Sequence, residues 1–125
     1  GVQTCALPIL KISPLEQITF LRGLVGGRLP VTPHAMETTI RLLDTGLAPG
    51  GWRLHGKTGS AAARHPDGSL DRERPIGWFV GWAEKDGRRV VFARLVRFDR
   101  KPPVFPGLAA KESVIADLFA RPGSL

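Results

Sequence analysis

Between Ile76 and Phe98 the residues alternate in a way that leaves little choice of structure. Trp78, Val80 and Trp82 fall on one face of an extended segment, and Gly77, Phe79, Gly81 and Ala83 fall on the other. The glycines keep the second face low, so a helix or another chain segment can approach it closely. Lys85-Asp86-Gly87 then supplies hairpin chemistry, because glycine after aspartate tolerates positive φ. Arg89 to Phe98 resumes the alternation, with Val90, Phe92, Val96 and Phe98 on one face. Arg94 interrupts that face and either snorkels from a strand edge or pairs with a carboxylate from elsewhere. The pattern predicts strands over 76–84 and 89–98.

Upstream, Trp52 to Lys57 reads as a further strand and runs into Lys57-Thr58-Gly59-Ser60. Lys-Thr-Gly recurs in serine acyl-transfer sites, on a strand that borders the pocket. Each residue type has a physical job there. An ammonium favours a carboxylate on a ligand, and a hydroxyl donates a hydrogen bond to it. A glycine lets the ligand lie against the strand backbone without meeting a Cβ. The N–H of the next residue, Ser60, can point at an oxygen that becomes negative in the transition state. A tripeptide alone also fits a polar edge strand with a solvated lysine.

Three helices frame these strands. Ser13-Pro14-Leu15-Glu16 combines an N-cap serine, a proline at the first helical position and a capping-box glutamate. Leu15, Ile18, Leu21, Leu24 and Val25 make one apolar stripe, and Gly26-Gly27 stops the helix. Thr32-Pro33 starts a second helix with Met36, Ile40 and Leu43 on its buried side and Gly46 at its end. Ala48 to Gly51 reads as a turn, and Ser60 to Pro75 as a polar loop around Pro66-Asp67-Gly68. After a proline-broken connection over 100–106, Leu108 to Phe119 reads as a terminal helix with Val114, Ile115, Leu118 and Phe119 as its apolar side. The fold class is α+β: an antiparallel meander of about three strands with flanking helices.

The 125 residues suffice for one domain with a modest core. Residues 1–9 have no periodicity and read as a non-native or disordered leader, with a frayed terminus or short edge strand as the alternative. The domain proper is 10–125. No apolar run is long enough to span a bilayer. Cys5 is the only cysteine, so it has no internal disulfide partner. Eighteen Lys/Arg against eleven Asp/Glu give a net charge of +7, but the cations are dispersed and read as solvated surface rather than a nucleic-acid face. His34 and His65 read as surface residues, and His55 as a strand histidine on the same side as Lys57. No His, Cys, Asp or Glu pair has metal-ligand spacing.

Leu10 to Gln17, Lys57-Thr58-Gly59 and Ile76-Gly77-Trp78-Phe79-Val80-Gly81-Trp82, in that order, resemble the C-terminal part of class D (oxacillinase-type) serine β-lactamases. The resemblance runs from about Leu10 to Phe119, and the Ile76–Trp82 strand is its most specific part. It implies the serine β-lactamase/penicillin-binding fold and hydrolysis of β-lactam antibiotics through an acyl-enzyme. Lys57 and Thr58 would hold the β-lactam carboxylate, Gly59 would give clearance, and the Ser60 N–H would be an oxyanion-hole donor. Lys111 would stand where the family usually carries an arginine that helps hold the carboxylate, keeping the charge but losing the bidentate fork. A solvated helix lysine is the alternative there.

The 125 residues contain no Ser-x-x-Lys, no Ser-x-Val and no tyrosine. The expectation is therefore that nucleophile and base lie upstream, that no catalytic residue is in this segment, and that it is inactive alone. The resemblance implies no cofactor beyond a CO₂-derived carbamate on the upstream lysine, no metal, β-lactam small molecules as partners, and a periplasmic or secreted location. It leaves the oligomeric state open. A penicillin-binding transpeptidase or β-lactam sensor domain, a small basic binding module, and a structural fragment that does not fold alone are the alternatives.

Overall fold

The computed structural model describes residues 12–121, 123 and 125. The reading of residues 1–9 as a leader lies outside them. In chain order come helices α1 (Pro14–Val25) and α2 (Pro33–Leu42), strands β1 (Asp44–Ala48), β2 (Trp52–Arg64), β3 (Leu70–Lys85) and β4 (Arg88–Arg97), and helix α3 (Pro106–Leu118). The strands form one antiparallel sheet in the order β1-β2-β3-β4.

The helix starts follow their sequence signals. Ser13 Oγ accepts from the Glu16 N–H at 3.2 Å, and the Glu16 carboxylate accepts from the Ser13 N–H at 2.7 Å. This closes both halves of the capping box. Thr32 caps α2 by accepting from the Ala35 N–H at 3.2 Å. In the β3–β4 hairpin, Asp86 and Gly87 both take positive φ, which a tight primed turn requires.

The alternation on β3 divides the core. Phe79 and Ala83 are fully buried with Leu54, Phe92, Ala110, Val114 and Phe119, so α3 covers that face. Trp82 is buried on the other face with Leu21, Leu24 and Met36, beneath α1 and α2. The low face does admit a helix. A Cβ at Gly77 would come within 2.0 Å of the Pro106 carbonyl oxygen, so the start of α3 rests on β3 backbone there. Arg94 reaches α3, donating to Asp117 Oδ2 at 2.8 Å and Ser113 Oγ at 3.3 Å. It pairs with a carboxylate rather than snorkelling.

The expected meander is present with one strand more than the three anticipated, and three further expectations need correction. The sheet has four strands, because α2 ends at Leu42 and Asp44–Ala48 pairs with the start of β2. Gly46 does not end the helix. It sits at φ +92 in a bulge of β1, with its N–H donating to Asp44 Oδ1 at 2.9 Å. The stretch 60–75 is not a loop. β2 continues to Arg64 and β3 begins at Leu70, closing on a turn where Asp67 Oδ1 accepts from the Ser69 N–H at 2.9 Å and Gly68 takes φ +87. Charged residues and Pro75 made this part of β3 resemble a loop, but in this outer hairpin Leu70, Arg72, Glu73 and Arg74 are exposed while Asp71 and Pro75 are buried, and the backbone is satisfied by pairing. The register slips between Ala62↔Pro75 and Ala63↔Asp71, and Arg74 Nε donating to Asp71 Oδ2 at 2.7 Å ties the extra residues down. Finally, Leu15 lies on the α1 stripe but is 79% exposed among the described residues.

Candidate functional site

The site begins as an unpaired strand edge. β1 covers β2 only as far as His55, and the Gly56 N–H donates to the Leu43 carbonyl at 2.8 Å. In a strand the backbone groups of every second residue point the same way. The N–H and C=O of Thr58 and Ser60 therefore face the same outer edge as those of Gly56, and no described strand pairs with them. Beyond Gly56, β3 is the one described strand that pairs with this part of β2, in the register Lys57↔Val80, Thr58↔Phe79, Gly59↔Trp78 and Ser60↔Gly77.

Lys57 brings its charge to that edge. Its side chain is exposed, and Nζ donates to the Thr58 carbonyl at 2.7 Å. No carboxylate pairs with it among the described residues. Ile12 and Gln17, at the start of α1, face Lys57, Trp78 and Val80 across a cleft of about 280 Å³. An ammonium with no described carboxylate partner and outward amides at one rim attract an anion or a developing oxyanion.

Gly59 differs from the other glycines of the sheet. A Cβ on Gly56, Gly77 or Gly81 would meet backbone at 2.7, 2.0 and 2.0 Å. At Gly59 the nearest atom is the Trp78 Cβ at 3.5 Å, an ordinary contact, and φ is not positive. Neither backbone conformation nor described packing demands glycine there, so the space in front of it is left free.

Ser60 ties the edge to α3. Its Oγ accepts from the Gly107 N–H at 2.9 Å, and the α3 N-cap residue Phe105 makes no side-chain cap of its own. A Cβ on Gly107 would lie 2.7 Å from the Gly59 carbonyl oxygen, so helix and strand backbones touch here. Sequence reasoning missed Gly107. Its signal is the pair Pro106-Gly107, a helix-opening proline followed by a residue with no helical merit.

Lys111 lies apart from Lys57. Its Nζ sits 5.9 Å from the centroid of Phe79, on the α3 face of the sheet, beside the cross-strand partner of Thr58. Lys57 pairs with Val80 and shares the α1 face. His55 belongs to the core. It is buried and stacks on Trp82 at 4.7 Å with rings 4° apart, and its Nδ1 has no hydrogen-bond partner. Asp71 lies below the far end of the hairpin. Burial pushes its carboxyl up, but the Arg74 hydrogen bonds and the Arg74 and His65 charges outweigh this and hold it below its ordinary value of 3.8. Among the described residues no group of three or more His, Cys, Asp or Glu side chains is placed to hold a metal ion, and no helix is long and apolar enough to cross a membrane.

Residues 3–120 match the penicillin binding protein transpeptidase domain, and the chain belongs to that family. Within it the likeness is to class D β-lactamases. The chain is 42% identical over 116 residues to β-lactamase OXA-9 of Klebsiella pneumoniae, covering 93% of this chain and 42% of that protein. Among solved structures it superposes on the class D β-lactamase OXA-427 with a TM-score of 0.74 at 43% identity, covering 87% of this chain and 44% of that one. It also superposes on the C-terminal domain of the Bacillus licheniformis BlaR penicillin receptor, with a TM-score of 0.70 at 26% identity, covering 87% and 40%. The chain thus spans less than half the length of each protein it matches here.

Proposed function

We propose that this segment is the ligand-clamp half of a serine β-lactamase site of class D type. Lys57 and Thr58 hold the β-lactam carboxylate, Gly59 leaves room for the ring, and the Ser60 N–H donates to the carbonyl oxygen as it becomes an oxyanion. The observation that carries the reading is the Lys57–Ser60 edge itself. It has outward amides, a cation without a carboxylate, and a glycine that the described residues do not require.

A clamp without a nucleophile cannot break the β-lactam bond. Acylation needs a serine activated by an adjacent base, and the 125 residues hold no Ser-x-x-Lys. The nucleophilic serine and its lysine, with the carbamate that makes the lysine a base, belong to sequence outside this segment. Periplasmic or secreted placement is part of the same proposal. Lys111 joins the clamp only through the Thr58 side of the sheet, where its charge adds to the positive field.

A sensor reading is favoured by one observation, the superposition on the BlaR penicillin receptor domain. Both readings share acylation and differ in deacylation. The test is a chromogenic cephalosporin incubated with the protein expressed from the complete open reading frame. Sustained turnover supports the β-lactamase, a single stoichiometric burst supports the sensor, and no acyl adduct by mass spectrometry contradicts both. The 125-residue chain alone is expected to form no adduct.

A further inference from the structure

On the other side of Ser60 lies a second, larger cleft of about 750 Å³. It opens between the outer β2–β3 hairpin and the proline-broken connection that leads into α3. Ser60 and Ala61 line both this cleft and the one holding Lys57, so the two are continuous across the strand edge. Its walls are apolar: Leu70, Val104, Phe105 and Leu108 are all large and exposed, Phe105 at 76%. Arg72 from the hairpin and Lys101 from the connection also line it. Both are exposed, and neither side chain makes an ion pair or hydrogen bond among the described residues. Clustered apolar side chains mark a binding surface. Two unpaired cations beside them favour an occupant with an apolar body and a negative charge.

We infer that this cleft receives the side chain of the β-lactam, and that Arg72 and Lys101 select substrates whose side chain carries a second anion. The inference rests on the clamp reading given above, because the ring held at Lys57–Ser60 is what directs its side chain across Ser60. Charge complementarity and continuity with the clamp argue for this occupant over a peptide or a second copy of the chain. An exposed ion pair is weak and screened by salt, so the expected selection is modest, about three- to fivefold.

Benzylpenicillin and carbenicillin form a suitable pair of probes, since carbenicillin adds one carboxylate to the same side chain. The protein from the complete reading frame is assayed for kcat/KM, or for acylation rate if it does not turn over, with each compound. The expected result is that Arg72→Gln combined with Lys101→Gln lowers the carbenicillin-to-benzylpenicillin ratio about three- to fivefold. Raising salt should lower the wild-type ratio in the same direction, and Arg72→Glu should lower it further. An unchanged ratio in all three overturns the inference while leaving the clamp reading standing. If neither compound acylates the wild-type protein, the clamp reading fails and this inference falls with it. Both positions are exposed, and a thermal melt of each variant verifies that the ratio reports on a folded protein.

Discussion

The Ser60 hydroxyl caps the first turn of α3 from a different element, accepting from the Gly107 N–H at 2.9 Å. One residue thus does two things. Its side chain fixes α3 against β2, while its N–H faces the open edge. The helix that seals one face of the core is thereby joined to the strand that carries the clamp.

Loss of that cap is predicted to be felt as stability. Ser60→Ala removes the acceptor and should cost about 1 kcal/mol, the usual loss for a helix N-cap. Ser60→Thr keeps an acceptor and should restore most of it. Urea midpoints of the three chains verify this, and an alanine variant as stable as the parent would show that the contact contributes nothing.

Glycine positions separate architecture from ligand space. Gly77→Ala drives a Cβ to within 2.0 Å of the Pro106 carbonyl and should destabilise by about 3 kcal/mol or more, as overpacking against backbone does. Gly59→Ala meets only an ordinary 3.5 Å contact and should change stability by less than about 1 kcal/mol. It should nevertheless weaken β-lactam acylation in the complete protein. Equal stability losses at the two sites would remove the argument that Gly59 is kept for a ligand.

The centre of the α3-side core is Phe79, which is completely buried and packs 5.2 Å from Phe92. Phe79→Leu should be tolerated better than Phe79→Ala, which should cost about 3–5 kcal/mol. Circular dichroism melts decide it, and a small loss for alanine would mean that α3 does not pack as described.

Acid should weaken the fold in a definite window. Asp44 is held below 3.8, chiefly by the Gly46 N–H and then by Arg53, and Asp71 lies below it as well. A carboxyl that is more acidic folded than unfolded contributes its full stability above the unfolded value. That contribution is lost as pH falls through the folded value. These two groups should therefore add no slope between about pH 7 and 5, and stability should drop below about pH 4. Asp71→Asn should flatten that drop. An unchanged acid limb in the variant would show that the Arg74 pairing is not formed in solution.

Much of this was legible in the sequence because local signals and global packing agree. Ser13-Pro14-Leu15-Glu16 and Thr32-Pro33 start helices wherever they occur, and the Trp78/Phe79 alternation needs helices on both faces. What was not legible depended on pairing. Asp44–Ala48 has no strand-like composition and becomes a strand only because β2 offers it an edge. The charged stretch after Ser69 becomes a strand because its backbone is satisfied by Ala61–Arg64, a long-range fact invisible to periodicity. At the site, Lys57 to Ser60 could be named from their chemistry. The capping of α3 by Ser60 could not, since 47 positions separate Ser60 from Gly107.

The measurement closest to the central claim is acylation of the protein from the complete reading frame by a chromogenic cephalosporin, for the parent and for Lys57→Gln. Lys57 is exposed and unpaired by any described carboxylate, so the substitution should leave the melting temperature within a few degrees. It should lower the second-order acylation rate about tenfold to a hundredfold, the loss expected when a charge-assisted contact worth about 1.5–3 kcal/mol is removed, and the loss should shrink at high salt. Equal rates for parent and variant, with both proteins folded, would contradict the assignment of the Lys57–Ser60 edge as the ligand clamp.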